Sequence, residues 1–522
     1  MDYWSIALAV AVLCLAFYYY CLNDTNIFKK DGIPYRKPLP LLGTTYEPIL
    51  GLKSFAAMMQ DAYNMHSTAK YVGVFDFMTP VVVIRDPELI KTVTVKNFDH
   101  FPDHRAFVDE NTDPLFGKNL FSLRGDRWKE VRNLLSPAFT CSKMKAMFVL
   151  MSECGVDFAE VLAAMPANER VLDLKDAFTR YTNDVIATCA FGISINSMRD
   201  RNNSFYMYGK EGTNLSGLTF LKLFMIRSMP TLTKLLGIKF TRKKVADFFY
   251  KLIGDTVKAR DEQGIFRPDM IQLMMEQRGK MGLTIEDMTA QAFVFFFGGF
   301  DSTSTCMCFA AHEIGMNANV QERLQAEIDK VLEENNGQLT YEAVNNMPYL
   351  DAVVNEALRV YPVASFIDRK CSEAFELPPT LPGAKPHVIK PGSMIWMPVY
   401  GIQRDPKYYD EPDKFNPDRF IENGKKIASS GTYFPFGLGP RIMCIGNRFA
   451  LLETKALLFH VLARCDFVPC AKTPIPMKLY KKGLSMTAEN GFWMEIRPRS
   501  NPHPSLNTSV SNGSAKQGIS IL

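Results

Sequence analysis

Hydrophobic and polar positions follow two periods along this chain, and the helical one dominates. Residues 4–22 carry no charge. As a helix that run spans about 28 Å, close to the hydrocarbon thickness of a bilayer. Trp4 and the Tyr18, Tyr19, Tyr20 cluster lie at its ends, where aromatic rings favour the interface. Lys29, Lys30, Arg36 and Lys37 follow it and no Lys or Arg precedes it, which keeps the C-terminal flank in the cytosol by the positive-inside rule. The competing reading is a cleaved secretory signal, but no basic stretch precedes the run and no small-residue cleavage site follows it. Pro34, Pro38, Pro40 and Gly43 then favour extended backbone and predict a stiff hinge.

Further on, Thr284 with Asp287 resembles a capping box. It opens a helix predicted to run to about Met316, whose middle, residues 292–300, is apolar on every face and therefore buried. Helices are also predicted over 319–334, with one charged, solvated face, over 349–360, stopped by Pro362, and over 447–464. The runs 81–84 and 388–397 are β-branched or apolar and bounded by turn residues, which predicts strands. The fold expected is mainly α with a small β domain. One large globular domain (45–498) follows a membrane anchor (1–24) and a basic, proline-rich hinge (25–44). A tail rich in Ser, Asn, Gly and Pro (499–522) is expected to be disordered.

Composition narrows the class. With 47% hydrophobic residues over 522 positions the chain can build a large core, and a formal charge of +5 does not call for nucleic acid. Eleven cysteines show no framework, which argues against disulfide stapling and for a reducing compartment. His312-Glu313 begins like the zinc motif H-E-x-x-H, but position 316 is methionine, so no zinc site is expected.

The most informative segment is Phe434-Pro435-Phe436-Gly437-Leu438-Gly439-Pro440-Arg441-Ile442-Met443-Cys444-Ile445-Gly446. Glycines and prolines shape a tight loop that ends on one cysteine just before a helix. A helix N-terminus and a nearby arginine both stabilise negative sulfur, and Gly446 lets backbone approach a flat ligand. Such a thiolate suits an axial haem ligand. A buried structural cysteine, or a hydrolase nucleophile lacking an obvious His partner, are the other readings.

This loop resembles the haem-binding loop of the cytochrome P-450 family, F-x-x-G-x-R-x-C-x-G, and the likeness continues through Asn447-Arg448-Phe449-Ala450. The resemblance implies Cys444 as the proximal ligand, Phe436 near the sulfur and Arg441 toward the haem propionates. One feature departs from the pattern: two residues, Ile442 and Met443, separate Arg441 from Cys444, where the family has one. The surplus residue must be bulged out, or the loop re-registered.

Other segments match in the expected order. Glu356-Ala357-Leu358-Arg359 resembles the family's E-x-x-R and Pro417-Asp418-Arg419-Phe420 its P-E-R-F, implying a structural triad of Glu356, Arg359 and Arg419. Trp128 and Arg132 match W-x-x-x-R, and with Arg369 they are implied to hold the propionates. Gly298-Gly299-Phe300-Asp301-Ser302-Thr303 resembles the oxygen-activating motif, with Ser302 at the usual threonine position. A mid-helix hydroxyl can instead bond back to the preceding turn. Gly-Gly-Phe-Asp-Ser and the Asp-Arg-Lys-Cys after Phe366 are most similar to the microsomal, insect-type, xenobiotic-metabolising branch.

The resemblance implies a haem-thiolate monooxygenase that inserts one atom of dioxygen into lipophilic small molecules, either xenobiotics or endogenous lipids and hormones. Asp301 with Ser302 or Thr303 would relay protons. Electrons would come from an NADPH-dependent flavoprotein reductase, or a cytochrome b-type donor, because no G-x-G-x-x-G fingerprint follows a strand here. Arg127, Lys129 and Arg448 offer either a basic docking face or a plain solvated one. Substrate walls are expected from 107–121, 220–229, 293–300, 363–366 and 484–486. The location implied is the endoplasmic reticulum membrane, single-pass, with the catalytic domain cytosolic. The alternatives are an isomerase or dehydratase on the same scaffold, or a degenerate haem-binding membrane protein.

Overall fold

A computed structural model describes residues 26–507 apart from 106–107, 215–218, 220–221, 224, 227–228 and 268, with positions 3, 4, 8, 11 and 12 nearer the start. The anchor expected at 1–24 falls almost wholly outside the described residues, as does most of the tail.

The four helices expected from the pattern, over 284–316, 319–334, 349–360 and 447–464, all form, and others accompany them. Seven position the site: α1 (Gly125–Leu135), α2 (Cys141–Ala163), α3 (Leu174–Ile186), α4 (Ile285–Met316), α5 (Ala318–Glu334), α6 (Pro348–Val360) and α7 (Asn447–Arg464). The capping box of α4 closes in both directions, Asp287 N–H donating to Thr284 Oγ1 (3.1 Å) and Thr284 N–H to Asp287 Oδ2 (3.0 Å). Proline starts α6, where its missing N–H costs nothing. Val320, Leu324, Ile328 and Val331 bury one stripe of α5, leaving its charges in water. α4 is long and apolar enough to cross a bilayer, yet it is mostly buried inside the protein.

Among the described residues nine short strands accompany the helices: β1 (Tyr71–Asp76), β2 (Thr79–Ile84), β3 (Val171–Asp173), β4 (Ile367–Lys370), β5 (Phe375–Leu377), β6 (His387–Ile389), β7 (Met394–Met397), β8 (Cys465–Val468) and β9 (Trp493–Pro498). The largest sheet has the order β1-β2-β7-β4, with β2 and β7 parallel and the other pairs antiparallel. The single strand expected over 388–397 is in fact two strands in different sheets. Pro391 has no N–H to offer a ladder, and Gly392 (φ +89°) turns the chain, so β6 pairs with β5 while β7 joins β2. The proline-rich stretch lies along β1: Phe28 and Ile33 are buried, and Thr44 N–H donates to Phe75 O (2.9 Å).

The core has two main apolar parts. One unites α2, α3, α6, α7 and the C-terminal half of α4. The other gathers α1, the N-terminal half of α4 and the 243–263 helix. α4 therefore threads the whole molecule, and the candidate site opens along its middle.

Candidate active site

A cavity of about 630 Å³ is lined by α1, the middle of α4, residues 363–368, the cysteine loop and the start of α7. Its walls are mostly apolar, with Phe116, Phe121, Phe240, Phe297, Val363 and Leu484 among them. Among the described residues, 220–229 supply no lining; Leu223 is buried in the core instead, and Phe240 takes the wall.

Two left-handed glycines build the cysteine loop. Gly437 (φ +91°) and Gly439 (φ +95°) approach backbone so closely that a Cβ would lie 2.6 Å from Ile442 O at the first and 2.0 Å from Thr94 O at the second. Cys444 N–H closes the loop on Phe436 O (2.9 Å), while Ile442 and Met443 N–H both donate to Gly439 O (3.2 and 3.1 Å). The surplus residue is taken up between these ties. Met443, 38% exposed, borders the cavity, and its carbonyl accepts Arg132 Nη2 at 3.1 Å. Cys444 opens into the cavity. The protein mass around it pushes the thiol pKa up, while the Gly446 N–H and the Arg132 charge pull it down. Phe436 and Gly446 line the same cavity, and a Cβ at Gly446 would meet nothing.

One edge is cationic. The Arg441 guanidinium lies 3.7 Å from the Trp128 ring centroid, pairs with Asp103 (3.1 Å) and donates from Nε to Pro102 O (3.0 Å). Its Nη1 is buried without a partner in the protein. Arg369 on β4 is 2% exposed and donates from Nη2 to Arg441 O (3.0 Å), and its Nε has no partner either. Burial lowers the Arg369 pKa to about 10, so it stays charged at neutral pH and favours an anion nearby. Trp128, Arg132, Arg369, Arg441 and Cys444 thus come together as the sequence suggests. Sequence reasoning missed His104, which also lines the cavity, stacks on Phe121 (4.9 Å) and bonds Asp368 (2.8 Å). No spacing rule ties it to the other residues.

The oxygen-motif residues separate. Residues 298–303 form a π-helical turn within α4. Gly298 faces open space, and Ser302 and Thr303 line the cavity, the Ser302 hydroxyl donating to Gly298 O. Asp301 instead turns toward α3, where Lys175 Nζ lies 2.9 Å from Oδ1. The same ammonium donates to Asp301 O (2.9 Å), Ser304 Oγ (2.8 Å) and Thr305 Oγ1 (2.6 Å). Lys175 was invisible to sequence reasoning because it lies 126 residues away in the chain.

Below the loop, Glu356 and Arg359 are fully buried and joined by two bonds, Nε–Oε2 (2.7 Å) and Nη2–Oε1 (2.8 Å). Arg419 Nε and the Asn416 N–H add bonds to Glu356 Oε1 at 3.0 and 2.9 Å. On the surface near the loop, Arg127 pairs with Glu130 and Lys129 with Asp126, and Arg448 contacts Cys141. Among the described residues no cluster of His, Cys, Asp and Glu could hold a metal ion, His312 included.

Comparison with known proteins agrees with this geometry. The family model described as Cytochrome P450 matches residues 34–494. The chain is 45% identical to "Cytochrome P450 9e2" of Blattella germanica, over 95% of this chain and 98% of that protein. It is 40% identical to "Probable cytochrome P450 9f2" of Drosophila melanogaster, over 95% and 99% respectively. "Cytochrome P450 6j1" of Blattella germanica is 34% identical, over 93% and 95%.

Proposed function

This chain belongs to the cytochrome P450 family and is a haem-thiolate monooxygenase, and from that premise we propose how its own residues serve the reaction. The cavity suits the cofactor. Its body is mostly apolar, one sulfur opens into it, and two buried guanidinium nitrogens beside it lack partners, as two carboxylates require. Bound through Cys444, haem iron supplies dioxygen activation with electrons from outside the chain.

Cys444 is the ligand, held by the Phe436 carbonyl behind it. Arg441, Arg369, Arg132 and Trp128 would hold the propionates, and Gly446 would give the ring room. Ser302 and Thr303 face the reacting side and move the proton, with Asp301 feeding it when Lys175 releases its carboxylate. Glu356, Arg359 and Arg419 keep the loop's support rigid. Phe116, Phe121, Phe297 and Leu484 exclude water and orient a lipophilic substrate. Xenobiotic oxidation is the reading proposed, because the wall is broad and apolar and little of it is polar enough to fix one ligand pose.

NADPH-dependent flavoprotein reductase is the electron donor proposed, docking on the side of Arg127, Lys129 and Arg448. The unit 45–498 carries catalysis, and residues 1–24 anchor it in the endoplasmic reticulum membrane with the catalytic part cytosolic. The observation that carries the reading is the open Cys444 sulfur beside two unpaired arginine nitrogens. The test is the reduced CO-difference spectrum of the membrane-expressed protein, followed by turnover with NADPH and reductase. A thiolate-type Soret band lost in Cys444→Ala supports the reading. Haem on nitrogen, or product formed without reductase, refutes it.

A further inference from the structure

We propose that the cavity has a second arm, between α2 and the helix Met270–Met281, that binds a lipophilic molecule carrying a hydroxyl group, with Gln272 as its specificity-determining residue. The inference rests on the monooxygenase reading above. That reaction turns C–H into C–OH, so its products carry an O–H donor where their substrates had none.

The helix Met270–Met281 turns one stripe to the cavity, Asp269 at its N-cap followed by Gln272, Leu273 and Glu276 at helical spacing. α2 faces it with Lys143 and Met147, which share one side of that helix. Phe139 and Phe295, stacked at 5.4 Å, add to the wall, and Phe266, 69% exposed, borders it where it meets solvent. Of these residues only Phe295 falls within the walls expected for substrate, and none is assigned to the cofactor. The polar groups of the arm differ in state. Asp269 is spent: its oxygens take Arg260 Nη1 (2.8 Å), Arg260 Nη2 (2.5 Å) and the Gln272 N–H (3.0 Å). That cap also fixes the backbone beneath the Gln272 amide before any ligand arrives. Glu276 is exposed and Lys143 partly so, which leaves both charges to water. The Gln272 Oε1 atom alone is buried without a partner in the protein. An acceptor left dry and unpaired rewards a donor that reaches it more than water would. A hydrocarbon fills the apolar wall and leaves this oxygen unpaired, whereas an alcohol or phenol satisfies both.

The experiment uses the full-length holoprotein with its iron ligated by clotrimazole, so that the chamber beside the iron is filled. Binding of 1-naphthol is then followed by quenching of its fluorescence. The comparison probe is 1-methoxynaphthalene, which keeps the rings and the oxygen but has no O–H to donate. The naphthol is expected to bind about tenfold more tightly than the ether, the worth of one hydrogen bond to a buried acceptor. Gln272→Leu removes a polar group that has no partner, so the fold does not suffer, and it is expected to bring the two probes within about twofold of each other. Leu273→Trp fills the arm and is expected to lose naphthol binding while clotrimazole affinity changes less than about twofold. If that variant does not fold, Gln272→Leu decides alone. Equal binding of the two probes, a preference that survives Gln272→Leu, or naphthol binding abolished by clotrimazole overturns the proposal. An unsubstituted protein without a thiolate band overturns the haem reading as well, so the two failures are distinct.

Discussion

Neutralising Glu356 with the isosteric Glu356→Gln tests the support beneath the loop. The carboxylate and Arg359 are both fully buried, and Glu356 receives four bonds, two from Arg359, one from Arg419 and one from the Asn416 N–H. Gln keeps the volume but removes the charge that offsets two guanidinium groups. Arg359 retains its bonds to Gln403 O and Pro412 O (2.9 Å each), yet stays an uncompensated buried cation. Breaking such a pair costs about 3–5 kcal/mol. Removing Arg419 leaves the inner pair intact, so Arg419→Ala costs less, about 1.5–3 kcal/mol, the worth of one charge-assisted bond. Urea unfolding followed by far-UV circular dichroism, with haem absorbance as a second probe, measures both. The double variant Glu356→Gln with Arg359→Met is expected to be less harmful than the sum of its single changes, because the stranded charge is gone. A Glu356→Gln loss below 1 kcal/mol, or strict additivity in the double variant, would refute the argument.

Asp301→Asn is expected to lower turnover by about 10²-fold or more while the CO band stays, as measured with NADPH and reductase; an unchanged rate removes Asp301 from proton delivery. Gly439→Ala forces a Cβ into Thr94 O (2.0 Å) at φ +95°, so the variant is expected to lose more than about 1 kcal/mol and to retain haem poorly, read by the haem-to-protein absorbance ratio. His460, buried against Ser152 Oγ (2.8 Å), has its pKa lowered from 6.5 to about 3. The unfolded chain therefore binds the extra proton first. This group's contribution is complete above pH 6.5 and is lost as pH falls toward 3, at about 1.4 kcal/mol per unit. Stability curves at several pH values should show a shallower acid loss in His460→Gln, and parallel curves would contradict the assignment.

Four of the seven helices around the site were legible from their hydrophobic period, and the capping box of Thr284 with Asp287 marks a start that holds in the fold. The cysteine loop and the Glu356–Arg359 pair were legible because their members are neighbours in sequence. Two kinds of feature were hidden. One is the break within 388–397, where Pro391-Gly392 outweighs an apolar run that reads as continuous. The other is partnership across long separations, as with Lys175 and Asp301 or His104 and Asp368, which only packing creates. The surplus residue before Cys444 lies between these cases: its existence is countable in the sequence, but the bond between its carbonyl and Arg132 is not.

The wide turn of α4 shares its acceptors between two helices. Phe300 O takes Ser304 Oγ (2.7 Å) from within α4 and Thr182 Oγ1 (2.9 Å) from α3, and Asp301 O takes Thr305 Oγ1 (2.7 Å) and Lys175 Nζ (2.9 Å) in the same way. Sliding α3 against α4 costs the outer bond at each oxygen while the inner one stays. Strain between the two helices is thus felt at the cavity wall without dismantling it.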